Sequence, residues 1–200
     1  MDHPLQCRCG TLKGYVSQPG SVNRAVCYCR DCQAFAHFLG RANEILDSKG
    51  GSDVVQTSPS RVTFTDGVEM LACMRLSPNG LMRWYAKCCN TPIGNTVANF
   101  KVSFVGLVHS CLDNGGQSLH DSFGPVRMSI NTKAAKGEVR SNSLAAIGGV
   151  TRILGMLLRA RLNGSYKRTM FFSQRTGAPV AQPKVLSREE RDSLMQAVAG

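Results

Sequence analysis

No run of apolar residues in this 200-residue chain approaches the roughly 20 that a membrane-crossing helix needs. The opening residues, MDHPLQCRCG, lack the apolar core of a secretion signal. These two absences predict a cytoplasmic protein with no membrane span, whose thiols stay reduced. There is no internal repeat. No aromatic ladder interleaves the basic residues, so stacking on single-stranded bases lacks support. Acidic residues are missing altogether between Val139 and Arg188.

What is present is positive charge and cysteine. The formal charge is +11, and it is uneven. Residues 1–112 hold 11 basic and 7 acidic side chains, a balance of +4, whereas 113–200 hold 13 and 6, a balance of +7. Such a surface suits anionic partners: nucleic acid, phospholipid or small acidic molecules. There are nine cysteines, an odd number that cannot all pair within one chain. In a reducing compartment, clustered cysteines more often hold metal than form disulfides.

The first half reads as short strands rich in β-branched and aromatic residues, at 14–17, 24–29, 53–57, 61–65, 70–76, 81–86 and 101–107. Turn signals QPGS, TDG and SPNG separate them. This predicts a mainly β domain of short antiparallel strands over residues 1–112. Residues 113–125, DNGGQSLHDSFGP, have the composition of a loop. The remainder, to residue 200, predicts a basic, partly helical extension packed on that domain. In 143–162, Ile147, Val150, Leu154, Leu157 and Leu158 share one helical face, with Arg152 and Arg159 away from it. That stripe is expected to pack on the core, although a basic amphipathic helix can also lie on a membrane surface. Ser187 and Glu190 have capping-box spacing and predict the start of a last helix.

Cysteine spacing carries the chemistry. Cys7 and Cys9, in CRCG, are two apart, so both thiols point to one side of an extended chain. Cys27, Cys29 and Cys32 form CYCRDC, where the same two-residue step is followed by a C-x-x-C turn. Three sulfurs from one short segment can occupy three corners of a tetrahedron. Cys88 and Cys89, in AKCCNTP, are adjacent, and both can face one ion only if the chain turns there. Asn90-Thr91-Pro92 is turn-prone, so Cys7, Cys9, Cys88 and Cys89 can make a closed four-sulfur site. Spacing leaves open whether Cys88, Cys89 or both ligate. Cys73 and Cys111 read as small buried core residues. His37, five residues after Cys32, is a candidate base or fourth ligand, and Arg30 and Asp31 lie inside the trio's loop.

The order CxCG, CxCxxC and a cysteine before a Thr-Pro turn resembles the glutathione-dependent formaldehyde-activating enzyme family, which includes centromere protein V. The stretch DVVQTSPSRVTFTDG (53–67) looks like that family's central strands. The resemblance covers about residues 5–112, and the whole chain is similar to a branch with a longer C-terminal part. It implies a zinc-bearing β-tent fold with two zinc sites: a structural one on the CxCG pair and a later CxxCG pair, and a catalytic one on the trio. Where the family has the first cysteine of CxxCGTP, this chain has Ala86, and Asn90 replaces the glycine. The resemblance therefore implies a rearranged knuckle in which Cys88 takes over the ligand role.

The implied activity is that of a carbon–sulfur lyase acting on glutathione–aldehyde adducts, with zinc at two sites, or at one if a site has been lost. Glutathione, a small thiol, is the implied substrate. The alternative is a non-catalytic, zinc-stabilised module that binds an anionic partner such as nucleic acid. A third reading, redox sensing through Cys88 and Cys89, suffers from the strain of a disulfide between adjacent residues.

Overall fold

The computed structural model describes residues 1–112, 116–140 and 143–199. Two sheets carry the fold. Strands β1 (His3–Gln6), β2 (Lys13–Val16) and β5 (Val62–Asp66) form a small antiparallel sheet in the order β1-β2-β5. The large sheet contains β3 (Asn23–Cys27), β4 (Ser52–Thr57), β6 (Leu71–Arg75), β7 (Met82–Ala86), β8 (Thr91–Thr96) and β9 (Val105–Val108). At its two edges stand β10 (Met128–Ile130) and β11 (Lys184–Val185), giving the order β10-β3-β4-β9-β8-β7-β6-β11.

The protein is mainly β, as the strand-rich composition predicts. The sheet is nevertheless mixed, because β10 runs parallel to β3 and β11 parallel to β6. The segment after residue 112 therefore supplies both edges of the large sheet. Its Phe171 and Phe172 are buried beside Trp84, with ring centroids 5.2 and 6.0 Å away.

Alternation along β7 shows how the strands sort their residues. Met82, Trp84 and Ala86 enter the core shared by the two sheets, with Leu5, Phe64 and Ile93. Arg83, between them, faces the opposite side, where Phe35 of α1 (Arg30–Phe38) lies under its guanidinium. That second layer is closed by α1 and the C-terminal α5 (Arg188–Ala199), which pack on each other and on Ala25, Val54 and Met74. Ser187 and Glu190 cap α5 reciprocally: the Ser187 amide donates to Glu190 Oε2 at 2.9 Å, and the Glu190 amide to Ser187 Oγ at 3.2 Å.

Several expectations need correction. The strand expected at 101–107 is confined to its end, at β9. Strand β8 was not expected, because TPIGNT contains Pro92 and Gly94. A register shift between Trp84 and Tyr85 sets Pro92 opposite Tyr85, an irregularity where a missing N–H is tolerated. Gly94 is needed for close approach: a Cβ there would sit 2.9 Å from the Gly106 carbonyl oxygen. In the expected loop 113–125, positions 113–115 lie outside the described residues, but Leu119–Phe123 is a short helix, α3, capped by Ser118. Buried His3 ties this helix to β1. Its Nε2 donates to the Leu112 carbonyl at 2.8 Å, so its Nδ1 accepts from Ser122 Oγ, also at 2.8 Å.

The largest correction concerns α4 (Ser143–Leu162). Its span is the one the periodicity predicts, but its orientation is reversed. Ile147, Val150, Leu154 and Leu158 are 53–62% exposed, and Leu157 is only half-buried. The side turned to the body carries Gly149, Ile153, Met156 and Ala160, with Arg152 and Arg159 exposed along its flank. The reason is steric. A Cβ on Gly149 would lie 2.5 Å from Met128 Sδ and 3.1 Å from Asn23 Nδ2, so the helix approaches the β10-β3 edge through its small residues.

Candidate metal centres

The thiols gather at two places, and all nine are free of disulfides. At the first, Cys7 ends the region of β1 and Cys9 lies in the turn to β2. Gly10 there has φ 74°, and its amide donates to the Cys7 carbonyl at 2.9 Å. The β7–β8 turn mirrors it: the Cys89 amide donates to the Ala86 carbonyl at 3.3 Å, and Asn90 has φ 53°. Asparagine tolerates this left-handed backbone better than most residues, which is how the position works without glycine. The turn sets both adjacent cysteines on one side. Sulfur separations are 3.5 Å for Cys7–Cys9, 3.7 Å for Cys7–Cys88, 3.3 Å for Cys9–Cys88 and 3.8 Å for Cys88–Cys89.

All four sulfurs lie within 4.8 Å of one another. A tetrahedral ion with bonds of about 2.3 Å to sulfur has edges of about 3.8 Å, so the donor set fits a closed thiolate site. The cluster joins the small sheet to the large one. Its surroundings supply donors to sulfur: the Leu12 amide to Cys7 at 3.2 Å, and the hydroxyls of Thr11 and Thr91 at 3.2 and 3.1 Å from Cys9 and Cys89.

The second cluster sits where β3 runs into α1. Cys27 ends the strand, Cys29 caps the helix and Cys32 lies in its first turn. Cys29 Sγ accepts from the Cys32 amide at 3.3 Å, so a thiol takes the place of the usual serine or aspartate cap. Sulfur separations are 3.4 Å for Cys27–Cys29 and 3.7 Å for Cys27–Cys32. Among the described residues, no histidine, carboxylate or fourth thiol joins this group, and His37 is not part of it. Asn131 Nδ2 donates to Cys27 at 3.5 Å from the end of β10. Arg83 Nη1 points at Cys32 Sγ from 3.9 Å.

Arg83 is the residue that spacing did not reveal. It is 1% exposed, donates to Asn95 Oδ1 at 3.1 Å and lies 3.6 Å from Asp31 Oδ2. Its Nε has no hydrogen-bond partner. A buried guanidinium needs negative charge nearby, and the trio's sulfurs supply it once deprotonated. The only sign in the sequence is a lone arginine inside the apolar strand MRWYA.

Protonation in both clusters is uneven. Hydrogen bonds from Thr11 lower the Cys9 thiol to about 6, while burial pushes Cys88 up. Hydrogen bonds shared with Cys27 and Cys29, helped by Arg83, hold Cys32 well below the usual thiol range, whereas hydrogen bonds with Cys27 and Cys32 push Cys29 up. Crowded thiols cannot all ionise beside one another, and a bound cation removes that conflict. The two isolated cysteines differ: burial raises Cys73 to about 12, and Cys111 donates to the Val108 and Ile93 carbonyls at 3.2 and 3.4 Å. Both are core residues.

Replacing Arg83 with methionine should weaken metal retention at the trio by about 10–100-fold and leave the four-sulfur site unchanged. Competition with a chromogenic chelator reads both sites. Equal retention at the trio would mean that Arg83 does not act through the sulfurs.

Two clusters can thus hold metal ions, and no helix among the described residues is long and apolar enough to cross a membrane. Among protein families, the chain matches a family of unknown function designated DUF6151 over residues 2–183. The chain belongs to that family. No curated protein matches it.

Proposed function

We propose that this DUF6151 protein binds zinc at both clusters and uses the trio to make or break the carbon–sulfur bond of an aldehyde adduct of a small thiol, glutathione in the family it resembles. One observation supports this most: three thiols converge, and no fourth donor joins them among the described residues. Three protein ligands with one free position is the arrangement of catalytic zinc, and four thiolates that of structural zinc. Zinc at the trio supplies a position that takes a substrate thiol as its thiolate.

The chain's own residues do the rest. Arg83 offsets the negative charge that collects on sulfur, and Asn131 and the Cys32 amide hold lone pairs of Cys27 and Cys29 in place. Asp31, with its side chain 45% exposed, stands at the rim beside Arg83. In this reading it takes the hydroxyl proton of an S-hydroxymethyl adduct. As that proton leaves, the oxygen becomes the aldehyde oxygen, the carbon–sulfur bond breaks, and its electron pair stays on sulfur. The reverse sequence forms the adduct. The basic surface suits an anionic tripeptide.

Formaldehyde exchange between glutathione and its adduct, followed by exchange spectroscopy, tests this. The metal-loaded protein should accelerate exchange, and Cys29→Ser should abolish the acceleration while one ion stays at the four-sulfur site. No acceleration over free zinc at equal concentration would end the enzymatic reading. The second reading, a zinc-stabilised module for an anionic macromolecule such as nucleic acid, draws support from the acid-free stretch between Val139 and Arg188.

A further inference from the structure

The reversed seating of α4 creates a cleft that has nothing to do with the cysteines. It lies between α4, the start of β3, the turn after β4 and the segment that follows α4, and it encloses about 770 Å³. Pockets of roughly 300–1,000 Å³ hold small molecules. Most such pockets are apolar; this one is polar and strongly basic. Five arginines line it, Arg61, Arg127, Arg152, Arg159 and Arg168, and among the described residues no carboxylate does.

Two features indicate that the charge is placed rather than incidental. A surface helix ordinarily turns its apolar face inward. Here α4 leaves Leu154 and Leu158 exposed, while Arg152 and Arg159, themselves solvent-exposed, stand along the wall of the cleft. Arg61, from the opposite wall, is half-buried, and burial together with the Arg159 charge lowers its pKa. Like charges gathered on facing walls repel unless an anion lies between them. Guanidinium groups bind phosphate oxygens in pairs of hydrogen bonds, so several arginines around one cleft suit more than one phosphate charge.

The wall also carries an acceptor without a donor. Asn23, which lines the cleft, is 3% exposed, its Nδ2 donates to Gln56 Oε1 at 2.7 Å, and its Oδ1 is closed off from solvent with no hydrogen-bond partner. A bare inorganic anion offers nothing to that oxygen. A hydroxyl or amino group on a phosphorylated molecule offers a donor that a turn of the Asn23 side chain brings within reach.

We propose that this cleft binds a small phosphorylated organic molecule carrying at least two negative charges and a hydroxyl or amino donor. The site is separate from both cysteine clusters, and its test does not depend on any activity of the trio.

Calorimetric titration of the metal-loaded full chain, with inorganic pyrophosphate and with adenosine diphosphate as probes, decides it. Both should bind saturably at one site per chain, the nucleotide more tightly. The double change Arg152→Gln with Arg159→Gln should weaken both by about tenfold or more, since each arginine removed takes away charge-assisted hydrogen bonds to phosphate. The control pair Arg188→Gln with Arg191→Gln, on α5, should change affinity less than about twofold. Metal content of all variants should equal that of the parent, which establishes that they fold. No saturable binding of either probe overturns the proposal. So does equal weakening by the control pair, which would mean nonspecific charge. Binding of pyrophosphate without the nucleotide overturns it in favour of a bare anion site. Binding of an unrelated oligonucleotide, with both small probes silent, overturns it in favour of a macromolecular surface.

Discussion

Replacing Cys7 with serine should release one metal ion per chain and lower the melting temperature by about 8–16 °C. Cys7 is fully buried and belongs to a site that spans the two sheets. Its sulfur accepts from the Leu12 amide, and its own amide donates to the Leu12 carbonyl at 2.9 Å, so the β1–β2 turn is organised around it. A metal held at a thousand times its dissociation constant stabilises the folded chain by about 4 kcal/mol. At about 2–4 °C per kcal/mol for a chain of this size, loss of that contribution gives the stated shift. Serine keeps the shape but not a sulfur ligand. Calorimetry with elemental analysis of the same samples checks it. The comparison with Cys73→Ser separates metal from burial: that change should perturb packing but leave two ions bound. If Cys7→Ser keeps both ions and melts as the parent does, the four thiols are not a structural metal site.

Truncating Trp84 to alanine should destabilise the chain by about 3–5 kcal/mol, the usual range for removing a large buried aromatic. Trp84 is fully buried, its Nε1 donates to Thr96 Oγ1 at 2.9 Å, and it touches Phe171 and Phe172. The contact is one of those that join the C-terminal half to the β core, beside the β10–β3 and β11–β6 pairings, so the effect should reach beyond the cavity. Urea denaturation of Trp84→Ala, Phe171→Ala and the double variant measures the coupling, and the two changes should be non-additive because the rings share one contact. A cost below about 1 kcal/mol for Trp84→Ala, or strict additivity, would mean that this contact does not couple the two halves.

Local spacing made a good part of this protein legible. Six of the strands follow from β-branched runs between turn signals, and α5 from the Ser187–Glu190 box. Two of the three cysteine groups follow from two-residue steps and a C-x-x-C, because such steps set sulfurs on one side of the chain whatever lies around them. Even AKCCNTP could be read as a turn from Asn90 onward. Other features were hidden for identifiable reasons. Pro92 conceals β8, since only pairing with β7 through a register shift makes a proline acceptable there. A cysteine in the cap position conceals α1. Parallel pairing of β10 and β11 joins residues about a hundred positions apart, as Met128 does with Ala25 and Lys184 with Met74.

Two outcomes belonged to the tertiary structure alone. Arg83 meets Cys32 because its side chain leaves β7 on the side of the large sheet that α1 covers, a placement no local pattern contains. The period of α4 determined that one face is apolar and another basic, and hence that 143–162 is a helix. Which face turns inward depended on where the neighbouring backbone leaves room. Gly149 lets α4 come close to the β10-β3 edge, and that approach sets Arg152 and Arg159 along the wall of the cleft. Periodicity can fix what lies on the same side of a helix; only the shape of the surface it meets decides which side that surface receives.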